Sequence, residues 1–270
     1  MLKTRIIPTL LWKDIGLVKG IGFDSWRRVG SIIPAIKVYN TRQVDELILV
    51  DITATAESRL PNFDIINDVS AECFVPLTVG GGVSSVENIK KLLRAGADKV
   101  SINSAAYKNP KFISEGAKLF GSQCIVASID ADKMSNGKYE CFSHAGSKKT
   151  GTEVAYWAKE LERLGAGEIL ITSIKKDGTM KGYDLQLIKA VTDVVSIPVI
   201  ASGGAGCYDD MYQAIRKGNA SAVAAASIFH YTEQTPLEAK EYLAGKNIPV
   251  RLNKNITKKS SNIGFEFTEF

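Results

Sequence analysis

The feature that most constrains this 270-residue chain is an eightfold alternation of two kinds of segment. Short β-rich apolar runs recur, and each is followed by a stretch whose apolar residues repeat with helical period. The runs cover residues 5–10, 46–50, 75–79, 99–102, 124–129, 168–172, 197–201 and 222–225. Strands that alternate with helices pair in parallel, and eight such units close into a barrel. We therefore predict an α/β chain with a single (β/α)8 TIM barrel over residues 1–252, followed by a tail over 253–270.

Local helix signals support this alternation. Ser84 and Glu87 have the spacing of a capping box ahead of an apolar stripe that stops at Gly96. Residues 152–165 carry a second stripe, which predicts a helix packed on the barrel and makes Trp157 a core residue. The apolar positions of that stripe are Val154, Trp157, Ala158, Leu161 and Leu164.

The two halves of the chain also repeat each other. FVPLTVGGGV at 74–83 parallels IPVIASGGAG at 197–206, and AGADKVSINSAA at 95–106 parallels GNASAVAAASIF at 218–229. Upstream, VDELILVDIT at 44–53 parallels GAGEILITSI at 165–174. We therefore predict two (β/α)4 halves related by a pseudo-twofold axis.

Glycine-rich turns follow predicted strands at matching places of the two halves. Gly80-Gly81-Gly82 and Gly203-Gly204 each precede a helix, where backbone amides can converge on an anion. Either turn alone is more simply explained as a tight strand-to-helix connection. Together with Asn103 and Ser104 in one half and Ser227 in the other, they favour two phosphate sites on the C-terminal face of the barrel. A ligand with a phosphate at each end would lie across the barrel mouth.

Polar residues at strand ends are the candidates for chemistry, because catalytic groups of barrels collect there. Asp130, which ends the run SID at 128–130, is the strongest candidate for a general acid or base; the alternative is a solvated loop carboxylate. The strand-end candidates are Asp51, Thr78, Ser101, Asp130, Thr172, Asp177 and Ser202.

Four charges of alternating sign begin predicted strands at the opposite end of the barrel. They are Arg5, Glu46, Lys99 and Glu168. Ion pairs commonly close the bottom of a barrel, so the simplest explanation is a stabilising ring. The functional alternative is a gate on a passage through the barrel axis.

Composition excludes several classes of function. The net charge of +5 is spread along the chain, and its only basic cluster, Lys254, Lys258 and Lys259, lies in the tail, so we expect no nucleic-acid partner. No stretch approaches the ~18 apolar residues of a membrane span. Four cysteines without CxxC spacing and two distant histidines predict a reducing cytoplasm, no metal site and no cofactor.

Several stretches together resemble one known family over about residues 1–252. They are RIIP, DELILVDITA, PLTVGGGV, GADKVSINSAA, FGSQCIVASIDA, GAGEILITSIKKDGT, KGYD, PVIASGGAG and EYLAGKNIPVRL. The family is the cyclase subunit of imidazole glycerol phosphate synthase. The sister isomerase of the histidine pathway shares the barrel and the paired cradles, but SINSAA and the run from GSQ to SIDA resemble the cyclase.

The resemblance implies a partner and residue roles. In that family the barrel accepts ammonia from a glutaminase docked at its N-terminal face, and the ammonia reaches a bisphosphorylated ribulosyl substrate at the other face. Arg5, Glu46, Lys99 and Glu168 match the gate, Asp98 matches a residue facing the glutaminase, and Asp130 matches one of two catalytic aspartates. The matches around the phosphates and the substrate are Lys19, Gly81, Gly82, Asn103, Ser104, Thr172, Asp177, Gly178, Ser202, Gly203, Gly204, Ala226 and Ser227.

The second catalytic aspartate of the family is absent. Its place at the end of the first strand is taken by Leu11, and the internal repeat independently pairs Leu11 with Asp130. A leucine cannot transfer a proton, and such acid–base steps typically raise the reaction rate by ~10² to 10⁴-fold. The first loop, FDSWRRVGSIIP at 23–34, and Ala145, which replaces an expected serine, are further departures from the family pattern.

Three functions follow as hypotheses, so whether the chain is itself an enzyme stays open. We favour a diverged cyclase-type subunit that supplies ammonia for amidination of a bacterial surface sugar, with a third, amidotransferase-type protein as a further candidate partner. The first alternative is a genuine cyclase, which converts the ribulosyl formimino bisphosphate and ammonia to imidazole glycerol phosphate and aminoimidazole carboxamide ribotide. The second is a non-enzymatic ammonia conduit that activates the glutaminase.

The tail after Leu252 extends beyond the usual end of the family. Its alternating Phe265, Phe267 and Phe270 leave two interpretations open: an added edge strand or partner-docking segment, or a flexible end.

Overall fold

Eight parallel strands close into a barrel in the computed structural model, which describes residues 3–252. The strands, in chain order, are β1 (Arg5–Lys13), β2 (Gly16–Ile21), β3 (Asp24–Gly30), β4 (Leu47–Asp51), β5 (Leu77–Gly80), β6 (Lys99–Ile102), β7 (Ile125–Lys133), β8 (Tyr139–Ser143), β9 (Lys148–Glu153), β10 (Glu168–Ser173), β11 (Val199–Ser202) and β12 (Ala222–Ala225). The barrel order is β1-β4-β5-β6-β7-β10-β11-β12, and β12 pairs with β1 to close it. The predicted (β/α)8 barrel is confirmed.

Helices connect these strands and cover the barrel. They are α1 (Ile32–Thr41), α2 (Phe63–Glu72), α3 (Val86–Arg94), α4 (Ser104–Lys108), α5 (Lys111–Phe120), α6 (Val154–Arg163), α7 (Leu185–Thr192), α8 (Tyr208–Arg216), α9 (Ser227–Tyr231) and α10 (Pro236–Gly245). None of the helices described here has the length and apolar character required to cross a bilayer. In α6 the predicted stripe is buried, and Trp157 stacks on Tyr107 with ring centroids 4.7 Å apart.

Two antiparallel hairpins extend the barrel at its C-terminal face, and the sequence analysis did not predict them. β2 and β3 follow β1, while β8 and β9 follow β7. These are the first barrel strands of the two sequence halves, so the hairpins obey the same pseudosymmetry as the repeat. The segment 23–34, treated as loop, is therefore largely strand β3 and the start of α1.

Apolar side chains fill the barrel and the layer between strands and helices. The interior cluster is Ile7, Ile48, Val126, Leu170, Ile200, Ala222 and Ala224. A much larger cluster joins the outer faces of the strands to the helices. This packing fixes the strand ends, from which the functional side chains project.

One detail of the sequence analysis changes. The capping residue of α3 is Ser85, whose side chain accepts from the Asn88 backbone amide, so the cap lies one residue after the predicted Ser84. All four cysteines are free thiols. The predicted tail, with its three phenylalanines, lies outside the described residues.

Candidate functional site

A cavity of about 440 Å³ opens at the C-terminal face of the barrel, beneath the β2–β3 hairpin. Every residue predicted around the ligand or the reaction, with one exception, lines it. Those residues are Leu11, Lys19, Asp51, Gly81, Gly82, Ser101, Asn103, Ser104, Asp130, Thr172, Asp177, Gly178, Ser202, Gly203, Gly204, Ala226 and Ser227. The exception is Thr78, which is buried lower in the barrel and donates to Glu46 Oε1 at 2.7 Å. Its prediction as a reaction-site residue was wrong because β5 reaches the cavity only at Gly80.

The two glycine turns need their glycines for conformation and for space. Gly81 and Gly204 have φ of 102° and 117°, which side chains of L-residues rarely tolerate. A Cβ on Gly81 would lie 2.2 Å from the Asp51 carbonyl oxygen, and one on Gly204 would lie 2.3 Å from the Gly182 carbonyl oxygen. Each turn therefore brings bare backbone to the cavity, as a cradle for an anion requires.

Gly81→Ala is expected to lower the free energy of unfolding by roughly 3 kcal/mol, because backbone strain and a clash add together. Gly137→Ala is the matched control: its φ of 81° carries the same kind of strain, but no atom lies within 4 Å of the added Cβ. It should cost about 1 to 2 kcal/mol. Urea denaturation of both variants measures the difference, and equal losses would contradict the close packing of Gly81 on Asp51.

Asp130 is the inward-facing residue of β7 at the level of the cavity, and its side chain is partly exposed there. The side-chain amide of Asn103 donates to Asp130 Oδ2 at 2.8 Å. Removal from bulk water, reinforced by the negative charge of Asp177, raises the pKa of Asp130 to about 7, while the Asn103 hydrogen bond opposes this rise. Asp130 can therefore gain or lose a proton near neutral pH, as a general acid or base requires.

Lys19 reaches from the β2–β3 hairpin to the opposite side of the cavity. Its ammonium group lies 2.6 Å from Asp177 Oδ2, and only 1% of the residue is exposed. The backbone amide of Gly22 donates to the Asp177 carbonyl at 2.9 Å, and Gly178 packs directly on the Gly20 carbonyl. Side-chain and backbone contacts thus hold the hairpin over the cavity.

Leu11 occupies the position in β1 that corresponds to Asp130 in β7. Each residue pairs with the first strand of the following hairpin: Leu11 lies opposite Val18, and Asp130 lies opposite Phe142. Both line the cavity. The first half of the barrel therefore offers an apolar side chain where the second half offers a titratable one.

The four predicted charges form a closed ring at the other end of the barrel. Arg5 contacts Glu46 and Glu168 at 2.8 and 2.9 Å, and Lys99 contacts the same two carboxylates at 2.9 and 3.1 Å. Glu46 is 1% exposed, so these partners replace the water that its carboxylate lacks. Asp98 precedes Lys99 and is exposed at this end, where its carboxylate accepts from the Leu77 amide at 2.8 Å.

One comparison with known proteins identifies the family to which this barrel belongs. A family model described as "Histidine biosynthesis protein" matches residues 5–235. The chain belongs to the histidine biosynthesis protein family. It therefore has the barrel type of the histidine-pathway enzymes, and the cavity and ring lie within the matched residues.

This member of the histidine biosynthesis family also has cavity residues that the sequence analysis did not identify. Phe23 and Trp26 enter from the β2–β3 hairpin, and Arg59 holds Asp51 at 3.1 Å. His144 adopts a positive φ and donates its backbone amide to Ser104 Oγ at 2.9 Å. The hairpin residues carried no usable signal because the hairpin itself was not predicted. His144, beside the unusual Ala145, was the available clue.

Proposed function

We propose that this chain is the ammonia-accepting barrel of a glutamine-dependent synthase, of the cyclase type but diverged in its catalytic layer. The observation that carries the proposal is that Leu11 occupies the position in β1 equivalent to that of Asp130 in β7. The other residues predicted around the ligand, except Thr78, line the same cavity. Both glycine turns and the four-charge ring are present where the resemblance predicts them, whereas Leu11 stands where it predicts a second carboxylate. Ligand binding and ammonia transfer are therefore expected to persist while proton transfer is weakened.

The ring and the barrel interior support a route for ammonia. Arg5, Glu46, Lys99 and Glu168 meet on the axis at the N-terminal end, and the interior between ring and cavity is mainly small or aliphatic. Ammonia is small and uncharged, so it crosses an apolar interior at lower cost than its protonated form. A glutaminase docked at this end would deliver ammonia to the ring, and exposed groups there include Asp98 and Phe74.

Two features of the cavity favour a polar, doubly phosphorylated ligand. The two cradles lie at the ends of β5 and β11, in matching places of the two halves. Buried side-chain oxygens of Thr9, Asn103 and Ser227 have no hydrogen-bond partner among the described residues. Such atoms are rare in native proteins, and a polar ligand would satisfy them.

The loss of the aspartate at position 11 supports a changed acceptor for the ammonia. We favour delivery to amidination of a bacterial surface sugar, with an amidotransferase-type protein as the third component. A cyclase of histidine biosynthesis is the second candidate, favoured by the near-neutral pKa of Asp130. A conduit without catalysis predicts binding of the glutaminase without any response to bisphosphates.

The testing experiment is a cyclase assay of the purified chain with the ribulosyl formimino bisphosphate and saturating ammonium, which removes the need for a glutaminase. We expect turnover at least ~100-fold below that of the Leu11→Asp variant, because one acid–base group is restored. Leu11→Asn is the control for size and polarity without titration and should stay at the low wild-type level. Strong wild-type turnover that Leu11→Asp does not increase would instead identify a working cyclase.

A further inference from the structure

We propose that Asp177 is the proton acceptor that takes over from the carboxylate missing at Leu11, and that Lys19 is the residue that positions it. This inference rests on the proposed function, since it concerns the same cavity and the same incoming ammonia. It assigns to Asp177 a role in proton transfer in addition to its predicted place beside the ligand.

Three carboxylates line the cavity within residues 3–252, and one of them is already committed. Asp51 Oδ1 accepts from the backbone amides of Thr53 and Ala54, both at 3.0 Å, and Arg59 contacts its other oxygen at 3.1 Å. Asp51 is also only 7% exposed. Its oxygens therefore hold the loop after β4 in place, which leaves Asp130 and Asp177 for chemistry.

Lys19 gives the carboxylates of Asp130 and Asp177 different electrostatic surroundings. An ammonium ion in contact with a carboxylate offsets the negative charge of that group, whereas a neutral amide does not. Asp177 has this contact at 2.6 Å, while Asp130 has only the neutral amide of Asn103. The geometry therefore assigns the role of proton donor to Asp130 and the role of proton acceptor to Asp177. Two carboxyl groups in different surroundings are the usual arrangement for acid–base catalysis.

The pair can serve the addition of ammonia to a carbonyl carbon of the ligand. A C–N bond forms, the C=O π bond breaks, and its electron pair moves to the oxygen, which takes the proton of Asp130. The nitrogen, now positively charged, loses one proton to the Asp177 carboxylate. Atoms and charge balance in a carbinolamine, and return of the proton from Asp177 to Asp130 resets the pair.

Other titratable groups around Asp130 do not compete for this proton. The Tyr107 phenol from α4 and the Cys141 thiol from β8 have pKa values raised by burial, that of Cys141 to about 12, so both stay neutral near pH 7. His144, also at the cavity, has a pKa lowered by partial burial and by Lys148. The remaining cationic groups at the cavity are Arg59, paired with Asp51, and the exposed Lys108.

The first test is a titration of Asp130 in the full chain without ligand, followed by the ¹³C resonance of its carboxyl carbon. The resonance is identified by its loss in Asp130→Asn. We expect Asp177→Asn to lower the pKa of Asp130 by about one unit, because a nearby negative charge is removed. Asp193→Asn is the matched control, since Asp193 also contacts a lysine at 2.6 Å, but at the surface, and it should cause no shift. If the pKa of Asp130 is unchanged in Asp177→Asn, the proposed coupling of the two carboxylates is wrong.

The second test separates proton transfer from ligand binding. In the ammonium assay Asp177→Asn should lower kcat by at least ~10-fold, and adding Leu11→Asp should restore it, because a carboxylate at position 11 replaces the lost acceptor. A residue that only binds ligand would instead raise KM, without rescue by Leu11→Asp, and that result would overturn the proposal. The titration requires neither ammonia nor turnover. If Asp177→Asn shifts the titration of Asp130 as expected but no variant turns over the bisphosphate, the proposed function fails while the coupling of the two carboxylates stands.

Discussion

Asp130→Asn is expected to lower ammonia-dependent turnover by ~10² to 10⁴-fold and at the same time to make the barrel more stable at pH 8. The activity falls because an amide cannot exchange the proton. The stability rises because the wild-type protein holds an ionised carboxylate where water is scarce, whereas asparagine is neutral. Asparagine can also keep the hydrogen bond from Asn103, since its side-chain oxygen accepts as the carboxylate does.

The pH dependence of this gain has a definite direction. The pKa of Asp130 is raised from 3.8 to about 7 in the folded protein, so the folded state binds more protons than the unfolded state between these values. Wild-type stability contributed by this group is therefore full below pH 3.8 and is lost as the pH rises to about 7. With ~1.4 kcal/mol per pKa unit, Asp130→Asn should gain about 2 to 4 kcal/mol at pH 8 and nothing at pH 3.

Thermal and urea unfolding of the two proteins between pH 3 and 8 measure this difference. Asp193→Asn, at the exposed end of α7, serves as the control and should show no crossover with pH. A variant less stable than the wild type at pH 8 would mean that Asp130 is not penalised by burial. The near-neutral proton affinity assigned to it would then be wrong.

Glu46→Gln is expected to lower the free energy of unfolding by roughly 3 to 5 kcal/mol, although it changes only one side-chain atom. Glu46 accepts from Arg5, Lys99 and Thr78 and is almost fully buried. A glutamine amide would direct N–H groups at a cation and leave Arg5 and Lys99 with one carboxylate between them. Removing one member of a buried charge group is costly because the others remain desolvated.

The control for Glu46→Gln is the same substitution in an exposed pair. Glu153 contacts Lys138 at 3.4 Å, and both side chains are more than half exposed. Glu153→Gln should change the free energy of unfolding by less than about 0.5 kcal/mol in the same urea titration. Similar effects in the two variants would show that the ring behaves as an ordinary surface network.

Much of the fold and site could be predicted because the decisive signals are periodic. All eight barrel strands lie where strand and helix patterns alternate, and the repeat located Leu11 and Asp130 at equivalent ends of β1 and β7. The ring could be predicted because parallel strands place their first residues at one end of the barrel. Alternating signs at those positions then imply contact.

The hairpins and their contacts could not be predicted by the same reasoning. β3 is mostly exposed and carries no alternating apolar pattern, so its sequence resembles a loop. The Lys19 bridge to Asp177 joins residues 158 positions apart, and only the folded hairpin brings them together. Thr78 was assigned to the wrong end of the barrel because the exact length of β5 decides which inward residue reaches the cavity.

The closed ring has a consequence for the speed of any passage through the barrel. Each of its four side chains takes part in two ion pairs, so moving any one of them aside breaks two contacts together. Half-open states are therefore unfavourable, and the ring should behave as an all-or-none closure that opens in rare events. A docked protein that placed one charged group beside the ring could form a new ion pair each time the ring opens, which would replace one of the two broken contacts. If the axis carries ammonia, as proposed, the rate of its passage would then depend on whether that protein is bound.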